Sequence, residues 1–392
     1  MDVSSVKVRK EAGDDEQTII RNVERLLDRM AEVYNEGYYA KLTVIRSWSV
    51  HNPSIEGEFA EPEAYRWFLR RELLKLLDLG AEVQVSRARK RLALNDPQLL
   101  DAIDEDQWDP TQKKLFLFRP ERIELSVDRL KHYTGTPATA FQRYVLFTNY
   151  EMHIEVFTKT YPDCIKPERT VQMPAYHHVL ENNLGITIVN IGVGPSNAKT
   201  ISDHIAVLRP DAMIMVGHCG GLRNQQEIGD FVLASGYFRA DNILDAHIPL
   251  NVPITPTHLL NEFLLGSLEK FGMKYRIGTV YTTANRNWEF SKTRTVAEFN
   301  VSRSVAIDME SATLATNGFR YRVPHATLLC VSDKPLHGRP KLSGAAQHFY
   351  QNSKEKHLEI VLDAIDQCRS RYPHGLPSTS IRATDEPLMG GV

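Results

Sequence analysis

From residue 144 onward, short apolar runs alternate with segments whose apolar residues recur at helical spacing. This alternation restricts the possible folds more than any other feature of the chain. Runs at 144–148, 186–191, 211–216, 231–234, 277–282, 305–308 and 327–331 read as strands. Between them, Ser196 N-caps a helix with Ala198, Ile201, Ile205 and Leu208 on one face, and residues 341–368 hold a last helix striped by Leu358, Val361, Leu362 and Ile365. Strand–helix alternation of this kind predicts an α/β fold: a mixed, largely parallel sheet with helices on both faces.

The chain of 392 residues is long enough for a second domain. Residues 1–15 are polar and acidic and read as disordered. Ile19, Val23, Leu26, Leu27, Met30 and Val33 mark a helix, residues 41–50 a strand, and Glu61-Pro62-Glu63 opens a helix that Gly80 closes. A further strand begins at Val83. The predicted order is therefore a disordered segment 1–15, a smaller α+β domain 16–122, a main domain 123–370 and a tail 371–392. A linker with Trp108, Asp109-Pro110 and Arg119-Pro120 joins the two domains.

Net charge is −2, so bulk charge suggests neither nucleic acid nor an anionic membrane as partner. No apolar run is long enough to span a bilayer, and residues 1–16 lack a signal-peptide core. Cys164, Cys219, Cys330 and Cys368 are widely spaced, with neither metal-ligand spacing nor a disulfide framework, which fits a reducing cytoplasm. Arginines and lysines gather at Arg66, Arg70, Arg71, Lys75, Arg87, Arg89, Lys90 and Arg91. They read either as a solvated face or as an anion site; no Walker-type loop accompanies them.

Two strands end in acids, Glu310 after residues 305–308 and Asp333 after residues 327–331. Ligand sites in α/β sheets gather at the carboxyl ends of strands. Taken singly, an Asp in this position also serves as a turn former or helix cap. Gly192-Val193-Gly194-Pro195 and Gly217-His218-Cys219-Gly220-Gly221 also follow strands and read as tight turns or close backbone packing.

The run Ala306-Ile307-Asp308-Met309-Glu310-Ser311-Ala312, with Val331-Ser332-Asp333, resembles the ribose and purine sites of the nucleoside phosphorylase/nucleosidase superfamily. Phe147-Thr148-Asn149-Tyr150, Asn190-Ile191-Gly192-Val193-Gly194-Pro195-Ser196-Asn197-Ala198, Gly217-His218-Cys219-Gly220-Gly221-Leu222-Arg223 and Ser332-Asp333-Lys334-Pro335-Leu336-His337-Gly338 extend the similarity in order from about Leu130 to about Tyr350. The N-terminal third is matched more loosely.

The resemblance implies a phosphorylase-like sheet and cleavage of an N-glycosidic bond, with AMP as substrate and adenine and ribose 5-phosphate as products, without metal or cofactor. Such cleavage builds an oxocarbenium-like sugar and an electron-rich purine, so the site must protonate the base, hold the ribose and position a nucleophile. Asp333 is then the acid for purine N7, which requires a raised pKa, and Glu310 is the ionised acceptor of the 2′- and 3′-hydroxyls. Met309, Ser332, Gly217, His218, Cys219, Asn149, Gly194, Asn287 and Trp288 are the implied substrate contacts. Trp288 reads equally well as core. Candidates for the 5′-phosphate are Arg286, Lys334, His337 and Lys341, with Lys131 or His132 from a neighbouring subunit. Candidates for activating water are Glu155 and His153.

Phosphorylase relatives carry an arginine for phosphate on the strand before the second glycine turn and another in an early loop. Here those places read Met215-Val216 and Thr148-Asn149-Tyr150-Glu151-Met152-His153, which favours water as nucleophile. A purine nucleoside phosphorylase and a non-catalytic nucleotide sensor remain the alternative readings. The resemblance further implies a homo-oligomer, a hexamer, with an N-terminal domain that senses ATP as activator and phosphate as inhibitor.

Overall fold

The computed structural model describes residues 5–46, 54–104, 115–340 and 343–377. The expected linker around Trp108 and Asp109-Pro110, Lys341, and the tail beyond residue 377 lie outside the described residues.

The N-terminal unit runs β1 (Val6–Arg9), α1 (Glu16–Asn35), β2 (Tyr38–Ile45), β3 (Ser54–Phe59), α2 (Arg66–Asp78), β4 (Glu82–Lys90), α3 (Leu99–Ile103) and α4 (Pro120–Thr134). Asp15 caps α1 by accepting from the Thr18 amide at 2.7 Å, and Ile19, Val23, Leu26, Leu27, Met30 and Val33 form its buried stripe. The four strands make one antiparallel sheet in the order β1-β4-β2-β3. Disorder was expected through residue 15, yet Val6–Arg9 forms an edge strand on β4, with Val8 buried. Its period-2 alternation covers only four residues, too short to stand out among polar neighbours.

The larger sheet is built from β5 (Tyr144–Thr148), β6 (Ala175–His178), β7 (Ile186–Asn190), β8 (Ala212–Gly221), β9 (Phe231–Ala240), β10 (Tyr275–Thr283), β11 (Ala306–Asp308) and β12 (His325–Asp333). Around it lie α5 (Glu151–Thr160), α6 (Pro195–Ile205), α7 (His258–Lys270), α8 (Lys292–Val301), α9 (Ser311–Arg320) and α10 (Ser343–Arg371). Strand order is β11-β10-β9-β12-β8-β5-β7-β6, and β11 also pairs with β8. That extra pairing closes β8, β12, β9, β10 and β11 into a small barrel. The pairs β5–β7, β5–β8, β8–β12, β9–β10 and β10–β11 are parallel; β6–β7, β9–β12 and β8–β11 are antiparallel. The sheet is thus mixed and largely parallel, as the alternation predicted. Every residue of β5 and β8 is buried, because helices cover both sides.

One apolar core runs from the N-terminal sheet and α1 through Phe116, Phe118, Ile123 and Leu130 to Ile201, Ile205 and Leu329 of the larger unit. The basic cluster of the N-terminal unit is largely neutralised within the chain. Arg66 pairs with Glu24, Asp28 and Glu63, Arg70 with Glu24, Arg87 with Glu36, Arg89 with Glu58 and Glu121, and Arg91 with Glu124. Arg71 reaches across to Asp211 at 2.5 Å, and Arg143 holds the other oxygen of that carboxylate at 2.6 Å. The segment after α10 returns to this junction: Arg143 donates to the Pro373 carbonyl and Leu376 is buried. Residues 372–377 are therefore packed where a tail was expected.

Candidate active site

The carboxyl ends of β5, β7, β8, β11 and β12 come together: Asn149 and Gly194 both reach Glu310, and Gly220 lies against Ile307 and Asp333. Asp308, at the end of β11, accepts from the Thr282 hydroxyl at 2.6 Å and from the Ser311 amide at 2.9 Å. It thereby caps α9 from three places before its first residue and fixes the turn that presents Glu310. The same motif, Asp-Met-Glu-Ser, was read as a ligand-binding run, and the role of Asp308 was not recognised; an acid three residues before a helical amide was the available signal.

Glu310 is buried and held at both oxygens. Its Oε1 accepts from the Gly194 amide at 2.6 Å and its Oε2 from Asn149 Nδ2 at 3.2 Å. Gly194 has φ of 117°, a left-handed conformation that side chains rarely adopt, and this aims its amide at the carboxylate. Burial, with the nearby Asp308 carboxylate second, pushes the Glu310 carboxyl up to about 8, while the Gly194 and Asn149 donors oppose the shift. Burial likewise raises the Asp308 carboxyl. Asn149 Oδ1 is buried without a hydrogen-bond partner among the described residues, so a ligand donor fits it.

Asp333 ends β12 opposite Gly220 of β8. The Ser332 hydroxyl lies 2.7 Å from Asp333 Oδ1 and 3.3 Å from the Cys219 carbonyl. A side chain on Gly220 would lie 3.0 Å from Ile307 and 3.5 Å from Asp333 Oδ2, so its absence leaves room beside the acid. Gly217 lies against Asn149, and His218 meets the Tyr150 ring edge-on at 4.3 Å. Glu310, Asp333, Met309, Ser332, Asn149, Gly194, Gly217, His218 and Cys219 therefore belong to one set of strand ends.

Other expected site residues are placed differently. Trp288 is 7% exposed and packs on Phe299 with Leu222, Tyr281 and Ile307, a core position. Asn287 and Arg286 are exposed on the turn before it. Lys334 is buried and donates to the Asn224 carbonyl at 2.8 Å, and the His337 ring lies 3.2 Å from the Leu222 carbonyl; both fasten the loop after β8. Lys131 lines a cleft of about 390 Å³ between the two units, with Glu61, Arg91, Glu124 and Asp128, and His132 is exposed beside it. Glu155 is exposed on α5, whereas His153 is fully buried, with Nδ1 on the Thr148 hydroxyl at 2.7 Å, away from open solvent. Arg239, near the end of β9, is buried; its Nη2 donates to the Ile248 carbonyl at 2.9 Å, and its Nη1 has no hydrogen-bond partner among the described residues.

Buried acids at the ends of a mostly parallel, partly closed sheet define an enzyme site of the phosphorylase type. The family model described as the phosphorylase superfamily matches residues 144–366, and the chain belongs to that superfamily. Within it, the AMP nucleosidase of Escherichia coli (strain K12) is 44% identical over 330 residues, a match covering 74% of this chain and 68% of that protein. The crystal structure of AMP nucleosidase from Bacteroides thetaiotaomicron VPI-5482 superposes with a TM-score of 0.54 at 30% identity, covering 64% of this chain and 99% of that one. A uridine phosphorylase from Vibrio fischeri ES114 shares the fold at a TM-score of 0.52 and 17% identity, over 58% of this chain and 92% of that one.

Proposed function

We propose that this chain hydrolyses the N-glycosidic bond of AMP, giving adenine and ribose 5-phosphate. The observation that carries the reading is the pair of strand-end acids in unlike surroundings: Glu310 anchored by the Gly194 amide and Asn149, Asp333 beside Ser332 and the open side of Gly220. The 44% identity to an AMP nucleosidase supports the substrate. Glu310, ionised, accepts the ribose 2′- and 3′-hydroxyls, Met309 packs on the sugar, and Asp333, protonated, donates to purine N7 as the bond breaks. Water attacks the anomeric carbon, leaves its hydroxyl there and releases its other proton to solvent, from which Asp333 is reprotonated. Release of adenine from AMP in phosphate-free buffer tests the reaction. Cleavage that requires added phosphate would make the chain a phosphorylase, and binding without turnover would make it a sensor.

Glu310 gives a signed pH dependence. Its carboxyl titrates near 8 in the free protein, so it is largely protonated at pH 7, and AMP binding through ionised Glu310 expels a proton. Calorimetry in buffers of different ionisation enthalpy should find net proton release on AMP binding at pH 7, diminishing as pH rises past the point where Glu310 is already ionised. Ionisation of Glu310 should give the kcat/KM profile a limb that rises with pH toward about 8, opposed by a falling limb where the acid at Asp333 is lost. Glu310→Gln should abolish the release; a release unchanged in that variant would assign the proton elsewhere.

Gly194→Ala should lower kcat/KM by about 10- to 100-fold, since an alanine resists the positive φ and swings the amide away from Glu310. Steady-state kinetics alongside a melting curve separates this from unfolding; near-normal kcat/KM would deny the amide its role.

Assembly, regulation and location extend the proposal. Phe290 and Val301 are 88% and 84% exposed on the segment beyond β10, which supports a homo-oligomer, a hexamer in the family pattern. An ATP-activating, phosphate-inhibited N-terminal site would draw on arginines that hold carboxylates in this structure, so effector binding would exchange those partners. None of the four cysteines is in a disulfide, in keeping with a cytoplasmic setting. No helix among the described residues is long and apolar enough to cross a membrane.

A further inference from the structure

Behind the active-site floor, three histidines from separate elements meet in the core: His153 of α5, His218 of β8 and His357 of α10. One ring nitrogen from each lies within 4.8 Å of the other two. The His153 and His218 rings are parallel with centroids 5.4 Å apart, and His357 stands nearly perpendicular to both, at 5.0 and 5.8 Å. His153 and His357 are completely buried.

Hydrogen bonds on the outer side of the cluster fix two of the rings. His357 Nε2 lies 3.0 Å from the Leu328 carbonyl, which can only accept, so Nε2 carries the proton and Nδ1 keeps its lone pair. His153 Nδ1 lies 2.7 Å from the Thr148 hydroxyl, an oxygen that also receives the Tyr150 amide at 3.2 Å. The inner atoms, His153 Nε2 and His357 Nδ1, have no hydrogen-bond partner among the described residues. Buried polar atoms are seldom left without a partner, so two such atoms turned toward one another point to something that binds them. Burial disfavours the charged form of both imidazoles. A metal-binding histidine shows this same division, with one nitrogen anchored to a hydroxyl or carbonyl and the other turned inward as a lone pair.

We propose that His153, His218 and His357 bind a late first-row divalent cation of the zinc type, with water as fourth ligand, as a structural site tying α5, β8 and α10 together. Neutral imidazoles are suited to such an ion, and the absence of a carboxylate from the three-residue cluster argues against Mg²⁺ or Ca²⁺. Zn–N bonds of about 2.0–2.1 Å at tetrahedral angles require nitrogens about 3.3 Å apart, so side-chain shifts of about an ångström close the site. The ion would sit beside His218, whose ring also meets Tyr150 edge-on; it would brace the Gly217–Gly220 end of β8, where a turn was expected from the sequence, without touching substrate.

The test uses the full chain without an affinity tag, stripped with EDTA and titrated with Co²⁺ and then Zn²⁺. The expected result is one Co²⁺ per chain with visible ligand-field bands, displacement by one Zn²⁺, and a rise in melting temperature of about 5 °C with Zn²⁺ in excess. His357→Gln and His153→Gln, each checked for folding by circular dichroism, should lose the bands and weaken Zn²⁺ binding at least about 100-fold. Should the wild-type protein show no bands and no Zn²⁺-dependent shift, the cluster is metal-free packing and the proposal is overturned; this arm needs no variant to fold. Bands that persist unchanged in both variants would place the ion elsewhere and overturn it equally.

Discussion

Asp333→Asn is expected to lower kcat for AMP hydrolysis by about 10²–10⁴, the usual scale for loss of a general acid. The substitution preserves shape at the end of β12. Asn can still accept the Ser332 hydroxyl that lies 2.7 Å from Oδ1, and its amide fits the space that Gly220 leaves open. What it cannot do is release a proton to N7 and take one back in the next cycle. Adenine would then have to depart as an anion, or protonated by solvent. The loss should fall on kcat, with the Kd for AMP within about threefold of wild type, because a hydrogen bond from the Asn amide replaces that of the acid in the ground state. Single-turnover adenine release and calorimetric binding measure the two quantities separately. A kcat within tenfold of wild type would remove Asp333 from the acid role.

The difference in fate of the two acids was partly legible in the sequence. Apolar runs that end in Glu310 and Asp333 place both at strand ends, and parallel strands covered by helices put strand ends at one face. Closure of the barrel was not legible, because β11 has three residues and its pairing with β8 joins distant parts of the chain. The pairing of the clustered arginines was not legible for a related reason: local sequence shows charge, but their partners Glu24, Glu36, Glu121 and Glu124 arrive from other elements. Lys334 and His337 illustrate the converse. Their position next to Asp333 suggested phosphate binding, while the loop after β8 takes their hydrogen bonds. His153 was read from the sequence only as a candidate for activating water, and it is the packing of α10 against α5 and β12 that brings His357 to it. Residue type and order foretell strands and their ends; they do not foretell which of several side chains a distant segment will engage.

Glu310→Gln should reduce kcat/KM for AMP by about 10²–10⁴, as expected when two hydrogen bonds to a charged acceptor, worth about 1.5–3 kcal/mol each, are weakened together. Geometry makes the substitution more disruptive than its size suggests. Gln can still offer its carbonyl oxygen to the Gly194 amide, but its NH₂ then faces Asn149 Nδ2, donor against donor. Asn149 must turn its amide over, and the 2′- and 3′-hydroxyls lose a charged partner just as positive charge builds on the sugar. Stability should move the other way. Because the Glu310 carboxyl is raised in the folded state, to about 8 from 4.5, its contribution to stability is full below about 4.5 and is lost progressively as pH rises from there through about 8. The variant, with no charge to form beside Asp308, should melt at or above the wild-type temperature at pH 9, which separates loss of activity from loss of fold. The decisive comparison is AMP against 2′-deoxy-AMP. Wild-type protein should prefer AMP strongly, and Glu310→Gln should discriminate less between the two, because the residue that reads the hydroxyl has lost its charge. Equal discrimination by both proteins would mean that some other group holds the 2′-hydroxyl.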